Sequence, residues 1–84
     1  MKLIWSEQAW DDYLYWQEAD KRMVKKLNEL IKETRRTPFE GKGKPEPLRH
    51  NLAGFWSRRI TAEHWFVYSV TDEALLIAAC RYHY

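Results

Sequence analysis

Glu46 stands between two prolines, in Lys44-Pro45-Glu46-Pro47, and His83 follows an apolar run, Leu75 to Cys80, that passes into Arg81-Tyr82-His83-Tyr84. Proline fixes its own φ and biases the preceding residue towards extended conformations, so Glu46 is a carboxylate with a constrained backbone on both sides. The apolar run has strand length, and a central strand can hold the groups that follow it in place. Four arginines, Arg49, Arg58, Arg59 and Arg81, complete a set of groups suited to metal-free cleavage of RNA. In that chemistry a general base takes the proton of the ribose 2′-OH, a general acid protonates the leaving 5′-oxygen, and cations stabilise the phosphorane. Glu and His can divide the acid and base roles because their pKa values differ and respond to environment. The arginine fork matches phosphate oxygens. Phe55, Trp65, Tyr82 and Tyr84 can stack on unpaired bases. The blander description is a solvated loop acid, a surface histidine and a tyrosine packed on the core. On residue types alone, an RNA-binding or protein-binding module stands ahead of a nuclease.

These groups need a scaffold to bring them together. Lys2 to Trp5 alternates weakly, as a short strand does. Ser6 is suited to cap a helix over Glu7 to Glu18, with Trp10, Tyr13, Leu14 and Gln17 at helical spacing and Glu7 favoured by the helix dipole. Asp20 is a second N-cap candidate. After it, Met23, Val24, Leu27, Leu30, Ile31 and Thr34 form an apolar stripe opposite Lys21, Arg22, Lys25, Lys26, Glu29 and Lys32. That charged face reads as solvated surface. Thr37 to Pro47 holds all three prolines and two of the three glycines and reads as a loop, its last four residues stiff and extended. Strand character begins at Phe55 and runs to Thr61. A three-residue turn (Ala62, Glu63, His64) pairs Ile60 with Phe66 and Arg58 with Tyr68. Trp56, Ile60, Phe66, Tyr68 and Val70 then share a core-like face, and Ser57, Arg59, Thr61, Trp65 and Val67 share the other. Thr71-Asp72-Glu73 turns the chain into the final strand. The expected fold class is α+β, with two N-terminal helices packed on one face of a mostly antiparallel twisted sheet and the other face open.

Composition narrows the field. With 84 residues the chain reads as a single domain, 1–84, and five Trp, five Tyr and three Phe supply the large side chains that a small core needs. Lone Cys80 excludes an internal disulfide and a cysteine metal framework. His50, His64 and His83 match no standard ligand spacing, so neither metal nor cofactor is expected. No Walker loop, dinucleotide glycine pattern or nucleophile elbow occurs. No signal peptide or membrane span is expected, which implies a cytoplasmic protein. Net charge is only +2, yet residues 35 to 59 hold seven Lys or Arg (Arg35, Arg36, Lys42, Lys44, Arg49, Arg58, Arg59) against Glu40 and Glu46. A basic middle on a near-neutral chain fits a polyanion partner and, equally on this feature alone, a charged solvated loop.

The stretches WDDYLYWQ (10 to 17), TRRTPFEGKGKPEPLRHNLAGFWSRRIT (34 to 61) and AACRYHY (78 to 84) resemble the YoeB toxins of bacterial toxin–antitoxin modules, in the RelE-like superfamily, over essentially the whole length. The resemblance implies a RelE/YoeB-like microbial RNase fold and a ribosome-dependent mRNA interferase that cuts the A-site codon by attack of the 2′-OH. It implies a YefM-type antitoxin, a homodimer, and operator DNA bound only through the antitoxin. By matching positions it implies Glu46 as general base and His83 as general acid, roles that could be exchanged. Tyr84 would order the site and Arg59 would sit at the scissile phosphate. Arg49, Arg58, Trp65, Arg81 and Lys44 are expected to contact RNA, Arg49 replacing a lysine that is usual in the family.

Position 65 departs from the family pattern. EHRLVY carries a catalytic arginine there, and this chain reads EHWFVY. An indole cannot hold the charge of a phosphorane, and losing one such donor costs about 10²–10³-fold in rate. Either activity is attenuated, leaving a ribosome- and antitoxin-binding protein, or Arg59 takes over the phosphate while Trp65 stacks on a base.

Overall fold

The computed structural model describes residues 1–82; His83 and Tyr84 lie outside the described residues. The elements follow in the order β1 (Lys2–Trp5), α1 (Glu7–Ala19), α2 (Lys21–Arg36), β2 (Glu46–Pro47), β3 (Trp56–Arg59), β4 (Trp65–Val70) and β5 (Ala74–Ala79), with a 3-10 turn at His50–Leu52. The two helices pack on a five-stranded sheet of order β1-β5-β4-β3-β2, in which only the β1/β5 pair is parallel. Both expected caps form: the Ser6 hydroxyl accepts from the Ala9 N–H, and the Asp20 carboxylate accepts from the Arg22 N–H. The α2 stripe is buried at Met23, Leu27, Leu30, Ile31 and Thr34, packing against Phe66, Tyr68, Leu75 and Ile77.

Helix α1 splits its apolar residues between the core and the surface. Trp10 and Leu14 are exposed, and Ala9, Asp12 and Trp16 point inward. Two apolar stripes compete on this helix. The inner one is chosen by polar bonds that periodicity does not reveal: the Asp12 carboxylate accepts from the Cys80 N–H (3.0 Å), and the Trp16 indole N–H donates to the Cys80 carbonyl (2.8 Å).

Three further expectations are corrected. The β3/β4 register pairs Trp56 with Tyr68, Ser57 with Val67, Arg58 with Phe66 and Arg59 with Trp65, two residues away from the three-residue turn. Ile60 has left the ladder, where its N–H donates to the His64 carbonyl across the turn (2.9 Å). Because side chains alternate with period two, a shift of two leaves both face assignments unchanged. The stretch read as loop to Pro47 ends in a strand, since Glu46 pairs with Ser57 and Pro47 with Trp56. Proline is tolerated there because β2 is an edge strand. Finally, Lys44 is not extended but left-handed, at φ 52°. The Arg59 N–H holds the Gly43 carbonyl at 2.7 Å, so the chain must turn sharply at Lys44 to bring Glu46 opposite Ser57.

Candidate active site

The sheet divides its side chains between two faces. Trp56, Phe66, Tyr68 and Ile77 join the helices in the core. On the other parity lie Glu46, Ser57, Arg59, Trp65 and Val67, because residues directly opposite in an antiparallel ladder share a face. Ser57 and Val67 are buried there, while Glu46 and Arg59 are exposed. Arg59 and Trp65 are cross-strand partners, and the guanidinium carbon lies 5.6 Å from the indole ring, a cation–π contact. A carboxylate, a guanidinium and an aromatic ring thus share one sheet face opposite the helices.

Tyr82 is brought to the same strand. The Trp65 N–H donates to the Tyr82 carbonyl (3.1 Å), and the Tyr82 N–H donates to His64 Nδ1 (2.7 Å). His64 packs edge-on against Trp16 with ring centres 4.7 Å apart. Upstream, the Ser6 hydroxyl donates to the Ala78 carbonyl (2.8 Å), and Arg81 stacks on Tyr15 of α1 at 3.5 Å. Residues 78 to 82 are therefore held by α1 and by the β3–β4 turn. The expected catalytic residues His83 and Tyr84 lie outside the described residues, immediately after Tyr82 in the sequence.

A family model for the YoeB-like toxin of bacterial type II toxin–antitoxin systems matches residues 5–84. The chain is 83% identical over 84 residues to Toxin YoeB of Escherichia coli, covering all of both chains, and 46% identical to Toxin YoeB of Streptomyces coelicolor, again covering both in full. It belongs to the YoeB-like toxins. Among solved structures, it superposes on a YoeB/ParE toxin from Agrobacterium tumefaciens with a TM-score of 0.97 at 57% identity, covering 100% of both chains. A YoeB dimer from Staphylococcus aureus gives 0.94 at 52% identity, covering 100% of this chain and 98% of that one. YafQ of Escherichia coli, at 20% identity with a TM-score of 0.75, shares the fold; it covers 98% of this chain and 92% of its own.

The basic residues of the toxin fall into separate places. Arg49, at the entry to the 3-10 turn, and Lys44 are exposed, as RNA contacts would need. Arg81 is half-buried against Tyr15 and Tyr82. Arg58 corrects the expectation of an RNA contact: it is fully buried on the helix side of the sheet. Its Nε donates to Tyr68 Oη (3.2 Å), Nη1 to the Lys42 carbonyl (2.9 Å), and Nη2 to the carbonyls of Thr37 (2.5 Å) and Glu40 (3.0 Å). Pairing it with the core residue Tyr68 already put it on the inner face, and alternation alone could have flagged it.

Sequence reasoning missed Asp12 and Trp16, which hold Cys80, His64, which holds Tyr82, and Tyr68, which holds the loop before Glu46. No local signal marked Asp12, whose role comes from a bond to the Cys80 backbone 68 positions away. Among the described residues no three His, Cys, Asp or Glu side chains gather into a metal-holding group, and no helix is long and apolar enough to cross a membrane.

Proposed function

We propose that this toxin is a metal-independent endoribonuclease that enters the ribosomal A site and cuts the mRNA there. The observation that supports it most is the shared face of Glu46, Arg59 and Trp65, with the Tyr82 carbonyl bound to the Trp65 N–H. Glu46 accepts the proton of the ribose 2′-OH as that oxygen attacks the adjacent phosphorus. The bond from phosphorus to the 5′-oxygen breaks, and His83 supplies the proton that the leaving oxygen takes. The products are a 2′,3′-cyclic phosphate and a 5′-OH, so no oxidant, metal or cofactor is needed. Arg59 carries the charge of the phosphorane, where a preorganised cation is worth most. Trp65 aligns the Arg59 guanidinium and stacks on a base. Arg49 and Lys44 hold the RNA backbone, and Tyr84 orders the site.

The partners follow from the relatives. YoeB–YefM complexes and a YoeB dimer are known from Staphylococcus aureus. We infer a YefM-type antitoxin and a homodimer for this chain, acting in the cytoplasm, with operator DNA reached only through the antitoxin.

Inducing the chain without an antitoxin and mapping new mRNA 5′ ends tests the reading. In-frame ends within codons, lost with His83→Ala and with Glu46→Gln, are expected. Growth arrest with intact mRNA would replace cleavage by occlusion of the A site, with Trp65 the first residue to examine.

A further inference from the structure

Residues 37 to 43 connect α2 to the Glu46 strand, and this segment has almost no core of its own. Five of its seven carbonyls are bound instead by β3 and β4. Arg58 takes those of Thr37, Glu40 and Lys42, the Tyr68 hydroxyl takes that of Pro38 (2.7 Å), and the Arg59 N–H takes that of Gly43 (2.7 Å). Arg58 and Tyr68 are both 0% exposed and bonded to each other, so the clamp is one rigid unit rooted in the sheet. Gly43 fits beneath it at φ 82°, where an added Cβ would stand 3.1 Å from Arg58 Cβ, from the Arg59 carbonyl and from a Leu30 methyl. Lys44 follows in a left-handed conformation that a residue before proline rarely adopts. Such a backbone persists only where the surrounding structure over-determines it. Two residues later comes Glu46.

We propose that Arg58 and Tyr68 are positioning residues for the Glu46 carboxylate, setting its place relative to Arg59 by fixing the loop before it. The proposal rests on Glu46 being the reacting carboxylate. Its geometry is economical: Arg58 and Arg59 are adjacent, one holding the loop from the core side while the other faces the site. A displacement of about 1 Å at a reacting group can cost around 10²-fold in rate. Loosening the loop should therefore lower turnover without weakening ribosome binding, since neither buried group can touch RNA.

The test is single-turnover cleavage of A-site mRNA on programmed ribosomes with Tyr68→Phe, Glu46→Gln and the double variant. Tyr68→Phe keeps the ring and removes only the hydroxyl, so the fold survives. It should slow cleavage about tenfold or more at an unchanged half-saturating toxin concentration. In the Glu46→Gln background it should slow the residual rate by less than about twofold, because the group it positions is gone. Arg58→Lys, which cannot span three carbonyls with a planar fork, should resemble Tyr68→Phe and not rescue. Equal slowing by Tyr68→Phe in both backgrounds, or a loss confined to ribosome affinity, overturns the positioning role alone. Undiminished cleavage by Glu46→Gln overturns the role of Glu46 and the proposal with it.

Discussion

Replacing Trp65 by arginine is the most direct probe of how phosphate charge is handled at this site. In the toxin the Arg59 guanidinium lies 5.6 Å from the centre of the Trp65 ring, directly across the β3/β4 ladder. Losing that contact removes about 0.5–1 kcal/mol at an exposed position. The new side chain also sets two cations opposite each other. At a similar separation their repulsion is about 0.7 kcal/mol in water and about 3 kcal/mol at an effective dielectric of 20. Arg59 is exposed and Trp65 half-buried, which puts the cost of these two effects, before any lost packing of the ring, near the lower end, at about 1–2 kcal/mol. For a domain of this size that lowers the melting temperature by roughly 4–16 °C. Salt screens the repulsion but not the lost stacking, so high salt should recover part of the deficit.

Activity should not follow stability. Arg59 already presents a guanidinium on the Glu46 face, so on the proposed mechanism the second cation adds charge where a phosphate ligand is already in place. Ribosome-programmed cleavage by Trp65→Arg is expected to stay within about tenfold of the parent, far short of the 10²–10³-fold that one missing charge donor would represent. Thermal melts at low and high salt, run beside the cleavage assay, check both halves. A gain of 10²-fold or more would refute compensation by Arg59 and show that the tryptophan form is attenuated. An unchanged melting temperature would refute the cross-strand energetics.

Arg59→Gln should lower cleavage by about 10²–10³-fold and reduce the salt slope of ribosome binding by about one, measured by filter binding over a salt series. Asp12→Ala leaves the buried Cys80 N–H without its acceptor and should cost about 1–3 kcal/mol by denaturant unfolding. His64→Leu removes the acceptor for the Tyr82 N–H and should slow cleavage on programmed ribosomes, since it loosens the hold on Tyr82, the residue before His83 in the sequence. Burial pushes the Cys80 thiol up to about 12, with the nearby Asp12 charge adding to the effect. The native thiol should therefore resist maleimide at neutral pH. The unfolded thiol ionises first, near its ordinary value of about 8.5, so the unfolded state binds fewer protons above that pH. This contribution to stability is complete below about 8.5 and is lost as pH rises towards 12; Cys80→Ala should flatten that alkaline decline in pH-dependent melts.

How much of this could be read from sequence depended on whether a feature was local. The α2 stripe and both N-caps are short-range patterns, and they were legible. Face assignment in β3 and β4 survived a wrong register because a two-residue slip preserves parity, so Arg59 and Trp65 were correctly put together. What stayed hidden were bonds between distant residues. Asp12 meets Cys80 across 68 positions, and Arg58 meets Thr37 across 21. Helical spacing on α1 gave its existence but not its buried face, because the inner side holds the groups that bind the Cys80 backbone. Likewise Glu46 looked like part of a loop because its partner, Ser57, lies beyond another turn.

The adjacent pair Arg58 and Arg59 shows why basic composition alone misjudges this surface. Strand alternation sends neighbouring side chains to opposite faces, so two identical cations enter different environments. Arg58 is buried with no carboxylate among its hydrogen-bond partners; it is balanced by one phenol and three backbone carbonyls. Carbonyl dipoles can satisfy guanidinium donors without a counter-charge, and the carbonyls would otherwise be left unpaired beneath the loop. A hydrophobic residue of similar volume would pack equally well but could not hold a segment so rich in proline and glycine. The stabilising partner of the loop before Glu46 and the exposed cation on the Glu46 face are thus consecutive residues on one strand. Anything that shifts β3 moves both together, so the clamp on the loop before Glu46 and the Arg59 guanidinium are carried by one strand.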